Sequence, residues 1–144
     1  MSETSDKIFD GIRAAALLEE ACRTSPPDAA RIEVVRELAL DLGRQLEALS
    51  ELEDATPDAL AEAAICCADL ANLAACNAPD LLPESVPRAT EAALIAARAV
   101  ESLGPLVEAR SEILSEDHAE NLLRDVRSAV WRAGFAAHLV EPSA

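Results

Sequence analysis

Two groups of side chains in this sequence have types and spacings that suggest chemistry: thiols mixed with carboxylates in one stretch, and arginines mixed with aromatics in another. Glu62, Cys66, Asp69, Leu73 and Cys76 recur every three or four residues, which on a helix gathers two thiols and two carboxylates on one side. That set makes a poor metal site. Four ligands strung along some 14 residues rise about 20 Å and cannot converge on one ion, and hard carboxylates with soft thiolates select no common metal. At most Glu62 with Cys66, or Cys66 with Asp69, can share an ion, and the stripe reads as the polar edge of a buried helix. Cys22, Cys66, Cys67 and Cys76 contain no Cys-x-x-Cys pair and have no nearby histidine couple, so they read as free thiols serving as small apolar filler. No metal and no cofactor is assigned.

Acid–base and nucleophilic chemistry find no better support. His118 lies in a predicted first helical turn, where the dipole disfavours its protonated form, with no cysteine or second histidine near it in sequence. It reads as an exposed surface residue. Glu19 and Glu20, and likewise Glu51, Glu53 and Asp54, read as solvated faces and loop edges, because nothing apolar around them raises a carboxyl pKa. There is no glycine-rich phosphate loop, Glu-x-x-His pair, Gly-x-Ser-x-Gly elbow or His-x-x-x-His. No residue is assigned to catalysis.

The second group is more distinctive. At 100° per residue the apolar side of the last helix is Leu122, Leu123, Val126, Ala129, Val130, Ala133, Ala137 and Val140, while Trp131, Phe135 and His138 lie opposite, in line with Arg124 and Arg127. The chain has one tryptophan, two phenylalanines and no tyrosine, so two of its three aromatics stand where the period expects charge. Tryptophan beside arginine is the composition of an interaction hot spot. Arg124, Arg127, Trp131, Phe135 and His138 are therefore the candidate protein-interaction site, with self-association as a homodimer the favoured use. Two other arrangements account for the same residues. The first helix can fold over this face, with Ile8, Phe9 and Ile12 against Trp131; or Trp131, His138 and the arginines can line a pocket for an anionic small molecule, binding or converting it.

The elements that carry these residues follow from composition and caps. Among 144 residues, 51% are apolar and 27% charged; alanine is about a fifth and leucine about a seventh of the chain, which favours helix nearly throughout. The length suits one domain. Expected helices run from a Ser5 cap to about Arg23, from about Pro27 to Leu52, and from the Thr56-Pro57-Asp58 start to about Asn77 and Ala78. The corner at Thr24, Ser25, Pro26, Pro27 and Asp28 joins the first two. A fourth helix starts near Ser85, after a stretch containing Pro79, Pro83 and Pro87 that cannot be a continuous helix. It continues, kinked, through Gly104-Pro105, because Ala89, Ala93, Ala96, Val100, Leu103, Val107 and Leu114 keep one stripe across the break. A fifth runs from a Ser115 cap to about Leu139. The second has the cleanest stripe (Ile32, Val35, Ala39, Leu42, Leu46, Leu49), with Leu40 off it.

An all-α antiparallel bundle follows, with helices two to five as the core and helix one packed across it or against a second subunit. The alanine-rich face of Ala61, Ala64, Ala68, Ala71 and Ala75 permits close approach of backbones but buries little area per residue, which favours burial across a dimer interface as a supplement. The net charge of −15 disfavours nucleic acid and anionic membranes as partners. Residues 1–10 carry acids where a secretory leader has bases, and Ala59 to Ala78 is interrupted by Glu62, Asp69 and Asn72, too polar and slightly short for a membrane span. A cytoplasmic protein is expected.

Overall fold

A computed structural model of the chain describes residues 3–23, 30–52 and 55–141. Among them are five α-helices and no strand: α1 (Glu3–Arg23), α2 (Ala30–Ser50), α3 (Pro57–Asn77), α4 (Val86–Arg110) and α5 (Glu116–Val140), with short 3₁₀ turns at Ala78–Asp80 and Ser111–Ile113. The protein is an all-α helical bundle. Side-chain pairs between helices give the directions: Gly11 meets Leu46 and Gly43 meets Ala15, so α1 and α2 are antiparallel. Asp58 pairs with His118 and Asp69 with Arg132, so α3 and α5 run parallel, with α4 packed against both.

The caps set the boundaries. The Thr56 hydroxyl oxygen accepts the Ala59 N–H at 3.1 Å with Pro57 in the first turn, and the Ser115 hydroxyl oxygen accepts the His118 N–H at 3.3 Å. Ser5 is not a cap, since α1 already begins at Glu3; the corner at 24–28 lies outside the described residues. Ser85 precedes α4 without a side-chain capping bond. One helix runs through Gly104 and Pro105, with Ala89, Ala93, Ala96, Val100, Leu103 and Val107 all buried on one side. Proline costs that helix the N–H which the Glu101 carbonyl would otherwise accept. Shared burial of both halves outweighs the local break. Leu114 lies beyond the helix, after the 3₁₀ turn, and is only half-buried.

The core is built largely of alanine. Ala61, Ala64, Ala68, Ala71 and Ala75 of α3 are buried, and α3 touches all four other helices. Pro57–Asp80 is long and apolar enough to cross a membrane, contrary to the expectation from its interrupting acids, but 61% of its most apolar window is buried within the bundle. That fits the core helix of a soluble protein.

α1 is more embedded than the sequence suggested. It lies against α2 and α4 of its own chain and needs no second subunit to cover it, whereas α2, despite its cleaner stripe, meets chiefly α1 and the edge of α3. Two glycines allow this. A Cβ on Gly11 would sit 2.6 Å from the Cys67 Sγ, and one on Gly43 3.2 Å from the Ala15 Cβ. Glu19, expected on a solvated face, is 5% exposed between α1 and α2. Arg23 Nε and Nη2 donate to it at 2.9 and 2.8 Å and Arg36 Nη1 at 3.1 Å. Burial alone would push its pKa up, but the hydrogen bonds and positive charges of Arg23 and Arg36 hold it below the usual carboxylate range.

Candidate functional site

The five predicted site residues share the outer side of α5. Val126, Ala129, Ala133 and Ala136 are buried against α3 and α4, and this turns Arg124, Arg127, Trp131, Phe135 and His138 outward, all exposed. Trp131 is 71% exposed and Phe135 50%. Their rings stack with centroids 5.9 Å apart and planes 7° from parallel, a geometry that favours offset aromatic pairs. Leu139, one turn further on, extends the apolar strip at 51% exposure.

Helix one does not cover this ridge. Ile8 is buried in the core and Phe9 is 42% exposed, and α1 packs on α2, α3 and α4. The second apolar layer between α1 and Trp131 is therefore not formed. Stacking on Phe135 shields one face of the indole and leaves most of it in water.

The polar groups of the ridge are weakly engaged. Arg124 donates to the Asn121 side-chain oxygen at 3.1 Å, while Arg127 and His138 make no hydrogen bond or ion pair with any of the described residues. Most other arginines have acidic partners: Arg31 with Asp80, Arg44 with Asp41, Arg88 with Glu20, Arg132 with Asp69. In a chain of charge −15, guanidinium groups without acidic partners beside an exposed tryptophan set the ridge apart.

No protein-family model matches the sequence, and no curated protein matches it.

A groove of about 310 Å³ adjoins the ridge between α4 and α5. Its walls are Gly104, Pro105, Leu123, Val126 and Val130, with Glu101, Glu108 and Arg127 at the rim. The sequence marks this place only through Gly104-Pro105; that α5 closes against it depends on tertiary packing, with Val130 Cγ2 3.4 Å from where a Gly104 Cβ would be. Neither Trp131 nor His138 lines the groove, and two carboxylates stand at its rim. It does not resemble the anion pocket that a Trp131–His138–arginine arrangement would form.

The thiol–carboxylate stripe of α3 splits between neighbours. Cys66 Sγ donates to the Gln45 Oε1 at 3.4 Å on α2, Asp69 accepts from Arg132 on α5 at 2.8 Å, and Glu62 and Cys76 face solvent. No three histidine, cysteine, aspartate or glutamate side chains converge among the described residues. Burial pushes the Cys22 and Cys66 thiols up to about 11, and raises the deeply buried Cys67 as well. His118 is exposed, as expected, but not alone: its Nε2 lies 2.7 Å from the Asp58 Oδ1 and ties the starts of α3 and α5 together.

Proposed function

We propose that this protein is a non-catalytic helical-bundle protein of the cytoplasm that works through protein–protein contact, self-associating through the α5 face of Arg124, Arg127, Trp131, Phe135 and His138. The observation that carries this reading is the exposure of the stacked Trp131–Phe135 pair beside cations without acidic partners. An aromatic area of that size in water is unfavourable at about 25 cal/mol per Å². Covering it with a second protein surface removes the penalty, and aromatics with arginine are the residues that dominate such contacts. The acidic surface disfavours nucleic acid and anionic membranes as partners. Free thiols at Cys22, Cys66, Cys67 and Cys76 suit a reducing compartment.

Light scattering on the wild-type chain and on a Trp131→Ala, Phe135→Ala double variant tests the reading. Twice the chain mass at micromolar concentration is expected for the wild type and the single-chain mass for the variant, with unchanged helical content in both. Equal masses would remove the ridge from the interface.

A further inference from the structure

The outward side of α5 has a regular spacing that the exposed aromatics alone do not reveal. Glu120, Arg124, Arg127, Trp131, Gly134 and His138 alternate steps of four and three residues, and all six are exposed. That alternation defines the narrow seam along which two helices pack at a shallow crossing angle. In most seams the positions are apolar. Here they are unlike one another, and their order is informative when α5 is set against an antiparallel copy of itself.

We infer that two copies of this chain pair α5 against α5 about a two-fold axis level with Ala129, in a single register. The inference rests on the self-association proposed above and adds its partner, orientation and register. In that register three different pairs form, each twice. Trp131 of one copy meets Arg127 of the other, placing a guanidinium over an indole face. Arg124 meets Gly134, and a Cβ added at Gly134 has nothing within 4 Å, so a long side chain of the seam lies opposite its one gap. Glu120 meets His138, an acid opposite a base. A parallel pairing would set each residue against itself, Arg124 on Arg124 and Arg127 on Arg127, which like-charge repulsion opposes.

The two-fold also keeps Phe135 of both copies on one flank and the α4–α5 grooves on the other, so the contact closes at two chains instead of propagating. The seam ends in water. The next positions along it, Asp117 and Glu141, would oppose like charges, and both are exposed.

The test exchanges the long residue and the gap. Sedimentation equilibrium measures the dimer dissociation constant of the wild type, Trp131→Ala, Gly134→Arg, and Gly134→Arg combined with Arg124→Ala. Gly134 is an open helical position, so arginine there leaves the fold intact. Trp131→Ala is expected to weaken the dimer about 30-fold or more. Gly134→Arg, which opposes two guanidinium groups, weakens it about tenfold, and adding Arg124→Ala recovers most of that loss. A dimer that Trp131→Ala disrupts but in which Arg124→Ala gives no recovery overturns the register and leaves the interaction face standing. A wild type that stays monomeric at 100 μM overturns both, and leaves the ridge to a different protein or ligand.

Discussion

The α1–α2–α3 side of the molecule and the outer side of α5 make opposite use of side-chain size. On the first, glycine and alanine bring helices so close that Gly11 has no room for a methyl group, and even a carboxylate, Glu19, is enclosed and neutralised by Arg23 and Arg36. On the second, the largest side chain in the chain stands in water, with open space at the neighbouring Gly134. The bundle has completed its packing without Trp131. Large apolar residues excluded from a finished core are best explained by a contact outside it.

The contrast is open to direct attack. Leu103 of α4 is fully buried, so Leu103→Ala should cost about 2–5 kcal/mol in urea denaturation. Trp131→Ala, measured at concentrations low enough to keep the chain monomeric, should change stability by less than about 0.5 kcal/mol. A larger loss there would mean that the tryptophan supports its own bundle.

Glu19→Gln leaves two guanidinium groups around a neutral amide and should cost about 1–3 kcal/mol. Its pH dependence has a defined sign. The Glu19 pKa in the folded protein lies below its ordinary value of 4.5, so the unfolded chain takes up that proton first. The stabilisation is complete above about pH 5 and declines as pH falls from there through the lowered value. Melting temperatures of wild type and Glu19→Gln should therefore converge as the solution is acidified; a constant difference would contradict the enclosed ion pair.

The same substitution at two glycines should have opposite effects on the two sides of the molecule. Gly11→Ala drives a Cβ against the buried Cys67 sulfur and should destabilise by about 1–3 kcal/mol, while Gly134→Ala meets nothing and should stabilise by up to about 1 kcal/mol through helix propensity. The smallest expected effect concerns the thiols. Cys76 alone is exposed, so a thiol reagent at pH 8 should modify one cysteine quickly in the native protein and all four in denaturant, with little change in stability.

What was legible in the sequence was what neighbouring residues decide. Thr56-Pro57-Asp58 and Ser115 mark helix starts because capping acts within one turn, and the stripe on α4 predicts continuity across Pro105 because both halves bury the same side. The outward position of Trp131 follows from angular spacing alone. Contacts between distant residues were not legible. Arg36 reaches Glu19 across 17 positions and Asp58 reaches His118 across 60, so a carboxylate that looks solvated in sequence is enclosed and a histidine that looks isolated is paired. The embedding of α1 was likewise hidden. Periodicity reports which side of a helix is apolar, and the clean stripe of α2 carries no information on how many neighbours that side will meet.

Trp131, the chain's only tryptophan, can report on its own burial as the α5 faces meet. Its emission and its quenching by acrylamide are recorded as the wild-type protein is concentrated from nanomolar to high micromolar. A water-exposed, readily quenched indole is expected in dilute solution, shifting to shorter wavelength and becoming protected as the dimer forms. Emission and quenching that stay constant while the mass doubles would place the interface elsewhere on the molecule.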